Sequence, residues 1–171
     1  ITGCAPRMPK PYGNFYNQDR VEQLQKQNQQ KATLVIFKKG INATNHFAGH
    51  NVEVNIDKVN IADLDECSYI IHQLTAGEYS VSASVPFLER PTNALRKFNK
   101  KTIKQKFEAN TIYYLNYRIT AEPMSKSFMF MGPGQAAYEP SQVTNSVEFI
   151  SVSQEAANKN LASCKEMIKF D

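Results

Sequence analysis

His46 and His50 stand four residues apart in Asn45-His46-Phe47-Ala48-Gly49-His50, a spacing that on a helix would bring both imidazoles to one face and suit a transition metal. The neighbours argue against it. Gly40, Gly49, Asn42 and Asn45 favour a loop, the glutamate of an HExxH pattern is missing, and no third ligand lies near, so no metal is expected there. Asp63, Asp65 and Glu66 bunch around Leu64, where they would hold calcium or trade a proton if they converged. They lack the EF-hand spacing and read as a solvated turn. His72 sits inside an apolar run and reads as a core or edge histidine with a satisfied nitrogen. With no nucleophile elbow, phosphate loop or dinucleotide fingerprint, the sequence assigns no catalytic residue, no cofactor and no metal.

Binding residues are easier to name. Phe15 and Tyr16 are adjacent aromatics in a polar stretch, which suggests a segment that docks on a partner or back on its own domain. Phe128, Met129, Phe130 and Met131 precede the Gly132-Pro133-Gly134 turn and read either as an exposed docking patch or as a strand end tucked into the core. Arg90, Arg96, Lys97, Lys100, Lys101, Lys104 and Lys106 form the one basic concentration. It suits anionic headgroups or an acidic partner, but alternating lysines also protect an exposed strand edge, and that reading is preferred. The net charge of +4, from 20 basic and 16 acidic residues, is lower than nucleic-acid binders usually carry, so no nucleic acid is expected.

The cysteines give the address. Ile1-Thr2-Gly3-Cys4 resembles the lipobox of bacterial lipoproteins, in which small residues pass the peptidase cleft and the thiol takes the diacylglycerol, so Cys4 is the expected lipidation site. Lipidating Cys4 leaves Cys67 and Cys164, which either form a disulfide or remain free and buried. No run of about 18 apolar residues occurs, so membrane contact is expected through the anchor and not through a spanning helix.

The elements that must position these residues follow from periodicity. Residues 1–31, with Pro6, Pro9 and Pro11 followed by a glutamine-rich stretch, read as a tether. Val21 and Leu24 would give any helix there only a narrow apolar edge, marginal unless docked. Residues 32–171 read as the domain. The run 32–38 is a central strand; Val52, Val54 and Ile56, then Val59, Ile61 and Leu64, make a hairpin around Asp57-Lys58; and residues 67–74, 79–85, 102–107, 111–119 and 146–152 continue the strand pattern. Ser153 caps the start of one amphipathic helix, in which Ala156, Ala157, Leu161, Cys164 and Ile168 follow helical spacing. The expected fold is mainly β, an antiparallel β-sandwich with one C-terminal α-helix and an extended N-terminal tether.

The strands at 32–37 and 52–56, the turn and strand Thr75-Ala76-Gly77-Glu78-Tyr79-Ser80-Val81, the Ile112-Tyr113-Tyr114 strand and the closing Val152-Ser153-Gln154-Glu155-Ala156-Ala157 resemble a family of small bacterial lipoproteins. Their β-sandwich cores are similar to carboxypeptidase-regulatory-like and PEGA-type modules. The likeness spans residues 32–161, with Asp57-Lys58 where the family tends to have Asp-Gly. It implies an envelope location and no known catalysis, since that family offers no characterised active site to carry over. The expected function is that of a non-catalytic lipoprotein on the periplasmic face of the outer membrane, a protein-binding or scaffolding subunit of a larger assembly such as a secretion system. The rivals are a periplasmic inhibitor or immunity-type module and a metal-dependent hydrolase using His46 or His50.

Overall fold

The computed structural model describes residues 12–39, 51–84, 100–123 and 143–167. Its centre is β2 (Lys31–Lys38), whose branched and aromatic run lacks polar alternation because residues 32–38 are all buried. A strand reads this way when both its faces are covered. Ala32, Leu34 and Ile36 enter one core, and Val35 and Phe37 enter another. Two cores on opposite faces of one sheet make three layers.

The first core lies between two sheets. One holds six strands in the order β1 (Tyr12–Phe15), β10 (Lys165–Met167), β5 (Ser68–Thr75), β2, β8 (Ile112–Pro123), β9 (Val143–Val152). The other holds four, in the order β4 (Val59–Leu64), β3 (Val52–Ile56), β6 (Gly77–Ser84), β7 (Lys101–Phe107). This is the mainly β sandwich with a C-terminal helix that the sequence predicts. Two pairings are parallel, however: β2 with β8, and β5 with β10. The larger sheet is mixed because the chain leaves it after β2 for β3 and β4, returns antiparallel at β5, leaves again for β6 and β7, and re-enters at β8 in the direction of β2.

The hairpin between β3 and β4 turns through Asp57 and Lys58 with φ of 46° and 74°. Two positive φ values are what the right-handed twist of a two-residue hairpin demands, which is why glycine is common at such positions. The turn is also tied to β6, since Asp57 N–H donates to the Ser80 carbonyl and Ser80 N–H to Asp57 Oδ1, both at 2.9 Å. Along this hairpin Val54 faces Ala62 and Asn55 faces Asn60, which leaves Ile61 as a bulged residue. The slip corrects the simple alternation: Ala62 and Leu64 fill the interior, whereas Val59 is 65% exposed. β5 and β6 are joined through Ala76 and belong to different sheets, so the Thr75-Ala76-Gly77 turn is a corner between layers. A Cβ on Gly77 would meet the Tyr79 ring at 3.2 Å.

The second core is closed by helices, and here the tether expected over residues 1–31 needs correction from Tyr12 onward. β1 pairs antiparallel with β10. α1 (Gln18–Gln27) begins at Asn17, whose side chain accepts the N–H groups of Asp19 and Arg20 at 2.8 and 3.3 Å. Its narrow apolar edge suffices because it is docked: Val21 is fully buried among Val35, Phe37, Tyr69 and Tyr114. α2 (Gln154–Leu161) starts as expected, with Ser153 Oγ accepting Ala156 N–H at 3.2 Å. It ends earlier than the apolar spacing predicts. Cys164 lies in the following turn, where its N–H donates to the Leu161 carbonyl at 2.8 Å, and the chain then straightens into β10. Ile168 falls outside the described residues.

Candidate binding cleft at the disulfide edge

Cys67 and Cys164 form a disulfide with Cα atoms 4.6 Å apart and a sequence separation of 97. Closing a loop of that length removes chain entropy worth about 4–5 kcal/mol in the unfolded state. Cys67 enters β5 from a left-handed φ of 50°, and Cys164 is fully buried in the second core. The bond sets β10 beside β5: Lys165 N–H donates to the Cys67 carbonyl at 3.2 Å, and Lys165 then faces Ser68 and Glu166 faces Tyr69. From the other side Tyr16 N–H donates to the Cys164 carbonyl at 3.0 Å. One covalent link thus organises the edge where both ends of the described chain meet.

A polar network holds α1 over this edge. Tyr16 stands edge-on to Tyr69 with ring centroids 5.4 Å apart, and its hydroxyl reaches Gln18 Oε1 and, at 3.0 Å, Asn158 Oδ1. The Tyr114 hydroxyl donates to the same Gln18 oxygen at 3.0 Å, and the Tyr69 hydroxyl donates to the Asn14 carbonyl at 3.2 Å. Arg20 of α1 donates through both terminal nitrogens to the Glu166 carboxylate of β10. Burial pushes Tyr16 well above the ordinary phenol range. Burial, with Glu166 nearby, pushes Tyr69 up to about 12 against the opposing effect of Arg20. The hydrogen bond to Glu166 holds the Arg20 guanidinium more firmly protonated.

Beside this network opens a cleft of about 470 Å³. Its apolar lining comes from both faces of the sheet: Ile61, the bulged residue of β4, Ile70 of β5 and Met167 of β10 pack with the core between the sheets, and Ile71 of β5 packs with the core under the helices. Arg20, Glu166, His72 and Asn14 supply polar groups. The volume falls in the usual range for small-ligand sites, roughly 300–1,000 Å³.

The residues singled out from sequence distribute unevenly around it. Tyr16 turns inward onto its own domain, while Phe15 is 58% exposed with Lys165 Nζ 4.9 Å above its ring. His72 lines the cleft. The acidic group does not converge: Asp63 accepts from Asn60 Nδ2 at 3.3 Å, the Asp65 carbonyl accepts the Ser68 hydroxyl at 2.7 Å, and Glu66 pairs with buried Lys38 at 3.3 Å. Among the described residues no group of three or more His, Cys, Asp or Glu is placed to hold a metal ion. Lys104 and Lys106 are exposed on β7, the last strand of its sheet among the described residues. Cys4, His46, His50, Arg90, Arg96, Lys97 and the stretch from Phe128 through Met129 and Phe130 to Met131 lie outside the described residues.

Sequence reasoning missed Arg20, Glu166, Ile61 and Met167. Asn17 ahead of Val21 and Gln25 was a usable helix-start signal, but nothing local pairs Arg20 with a residue 146 positions away. Fold and cleft together define a class: a β-sandwich closed by one disulfide, with one sheet face under two short helices and a mixed polar and apolar cleft at the disulfide edge. Compared with protein-family models, curated proteins and solved structures, the chain matches none.

Proposed function

We propose that this chain is a non-catalytic binding or scaffolding subunit of the bacterial envelope, held by lipid on Cys4 at the periplasmic face of the outer membrane and serving a larger assembly such as a secretion system. The disulfide carries the reading. A structural bond such as Cys67–Cys164 suits an oxidising compartment and is rare in a reducing cytosol. It also uses two of the three cysteines, which leaves Cys4, in its Ile1-Thr2-Gly3-Cys4 context, as the remaining thiol for a thioether. The topology fits attachment at one side. Among the described residues β1 is the outermost strand of the larger sheet, so an anchor at Cys4 would hold the molecule by the disulfide edge and leave β7 and β9, at the far ends of their sheets among those residues, for contact with other proteins.

The test is mass analysis of the protein isolated from bacterial envelopes and digested without reduction, followed by affinity capture from detergent-solubilised membranes. The reading expects a diacylglyceryl modification on Cys4, a linked Cys67–Cys164 peptide pair, and co-purifying envelope proteins in fixed stoichiometry. An unmodified Cys4 thiol together with free Cys67 and Cys164 overturns it.

A further inference from the structure

We propose that two copies of this chain pair through the free edge of β9, strand against strand and antiparallel, so that their larger sheets run together as one. The inference goes beyond the envelope reading, and the purified chain tests it without an anchor or a second protein.

The main-chain N–H and C=O groups along an open sheet edge are a template for another strand, and proteins blunt such edges by shortness, bulges, lysine or proline. Among the described residues the two sheets have four edges, and three are blunted. β1 is four residues long, and its register with β10 slips between Tyr12 and Phe15. β4 carries the bulge at Ile61. β7 carries Lys101, Lys104 and Lys106. β9 has none of these devices. It runs for ten residues, pairs with β8 without a break from Val152 opposite Tyr114 to Val143 opposite Pro123, and contains no lysine, arginine, proline or glycine. Val143, Thr144, Val147, Phe149, Ile150 and Val152 give it strong strand preference. Its one charge, Glu148, is held by Arg118 of β8, on the side away from the edge.

A second copy fits this edge better than a charged peptide does. With Glu148 paired inside its own chain, the edge offers no net charge that an acidic or basic segment would seek. A two-fold axis gives an antiparallel pair in which each edge satisfies the main-chain groups of the other, and two-fold dimers are the commonest closed assemblies. The axis stands perpendicular to the sheet, so facing residues share a sheet face. Because side chains alternate along a strand, the two numbers of each facing pair are then both odd or both even. The registers with most overlap are centred on Val147 or on Glu148. The second sets the two Glu148 carboxylates directly opposite each other, which is repulsive. The first sets Glu148 opposite Ser146 of the other copy, twice, with Val147 at the axis and residues 143–151 of each strand paired. Charge therefore selects the register centred on Val147.

The experiment is sedimentation equilibrium of the full disulfide-bonded chain, with hydrogen exchange at low and high protein concentration. A dimer with Kd below about 10 µM is expected, with slower exchange over residues 143–152 at the higher concentration. Ser146→Glu places a carboxylate opposite Glu148 of the other copy at two positions and is expected to weaken the dimer at least about tenfold. Ser146→Lys places an ammonium group there and is expected to keep the dimer or tighten it. Val147→Cys is expected to give, on mild oxidation, a dimer whose linked peptides map to position 147, because directly opposed strand positions lie about 4.5–5.5 Å apart at Cα, within disulfide reach. A chain that stays monomeric at about 100 µM overturns the proposal and leaves the edge to a strand from a different protein. A dimer on which Ser146→Glu and Ser146→Lys act alike, or one that protects another edge in place of β9, also overturns it. If Ser146→Glu disturbs the fold, exchange of the unaltered chain and the position of the cross-link still decide.

Discussion

Thr33 is fully buried under α1, and its hydroxyl has no hydrogen-bond partner among the described residues; Gln25 Oε1 and Asn116 Oδ1 share that condition. A buried hydroxyl without a partner costs about 1–3 kcal/mol, and valine offers the same shape without that cost. Thr33→Val is therefore expected to raise stability by about 0.5–1 kcal/mol in urea unfolding; a loss of similar size would mean that an ordered water satisfies the hydroxyl. Lys58 holds a φ of 74°, a conformation that costs a side-chain-bearing residue about 1–2 kcal/mol and glycine nothing. Lys58→Gly should raise the urea midpoint by the equivalent of about 1 kcal/mol, less the entropy glycine adds to the unfolded chain. Residue types alone indicated the turn at Asp57-Lys58, because the apolar alternation on both sides demanded one. That Val59 would be exposed and Ile61 would reach the cleft was not legible, since a bulge displaces one residue without leaving a mark in the hydrophobic pattern.

α1 separates what an element is from where it is used. Ten residues with two buried side chains would not hold a helix in water, where isolated helices of fewer than about 12 residues are marginal. Its stability is borrowed from the sheet through Val21 and from its N-terminal cap. Val21→Ala is expected to cost about 2 kcal/mol, from lost burial plus the cavity left behind. Asn17→Ala is expected to cost about 1 kcal/mol. Both should appear in hydrogen exchange as faster exchange over residues 18–27 while β2 and β8 keep their protection; a uniform change across the molecule would mean that α1 is not a separable unit. The strands were readable because β-branched and aromatic runs with turn residues between them state their period locally. The helix was not, because glutamine-rich polarity is also the mark of a linker, and the contact that decides between them lies on other strands.

At the scale of the molecule, the disulfide makes the fold firm and the buried tyrosines make it sensitive to alkali. Replacing Cys67 and Cys164 together by serine should lower unfolding free energy by about 4–5 kcal/mol if chain entropy is the main term. Tyr16, Tyr69 and Tyr117 are all held protonated above their ordinary value of 10.0, chiefly by burial. Above that value the unfolded chain releases phenolic protons that the folded chain keeps, so the folded state loses relative stability as pH rises. Stability from these groups is fully present below pH 10 and should fall through about 12, where Tyr69 ionises, and beyond it. Absorbance of ionised tyrosine should then rise together with the loss of β-sheet circular dichroism. Independent ionisation of these three tyrosines near pH 10 in a chain that stays folded would contradict the burial described.

Sequence alone determined the mainly β class, the terminal helix with its serine cap, and the central place of residues 32–38, because burial on both faces of a strand writes itself into the order of side chains. Tertiary structure alone decided the mixed sheet, the docking of α1 and the pairing of Arg20 with Glu166. Those depend on which distant segments come to lie side by side, and a local pattern of polar and apolar residues carries no record of its partner.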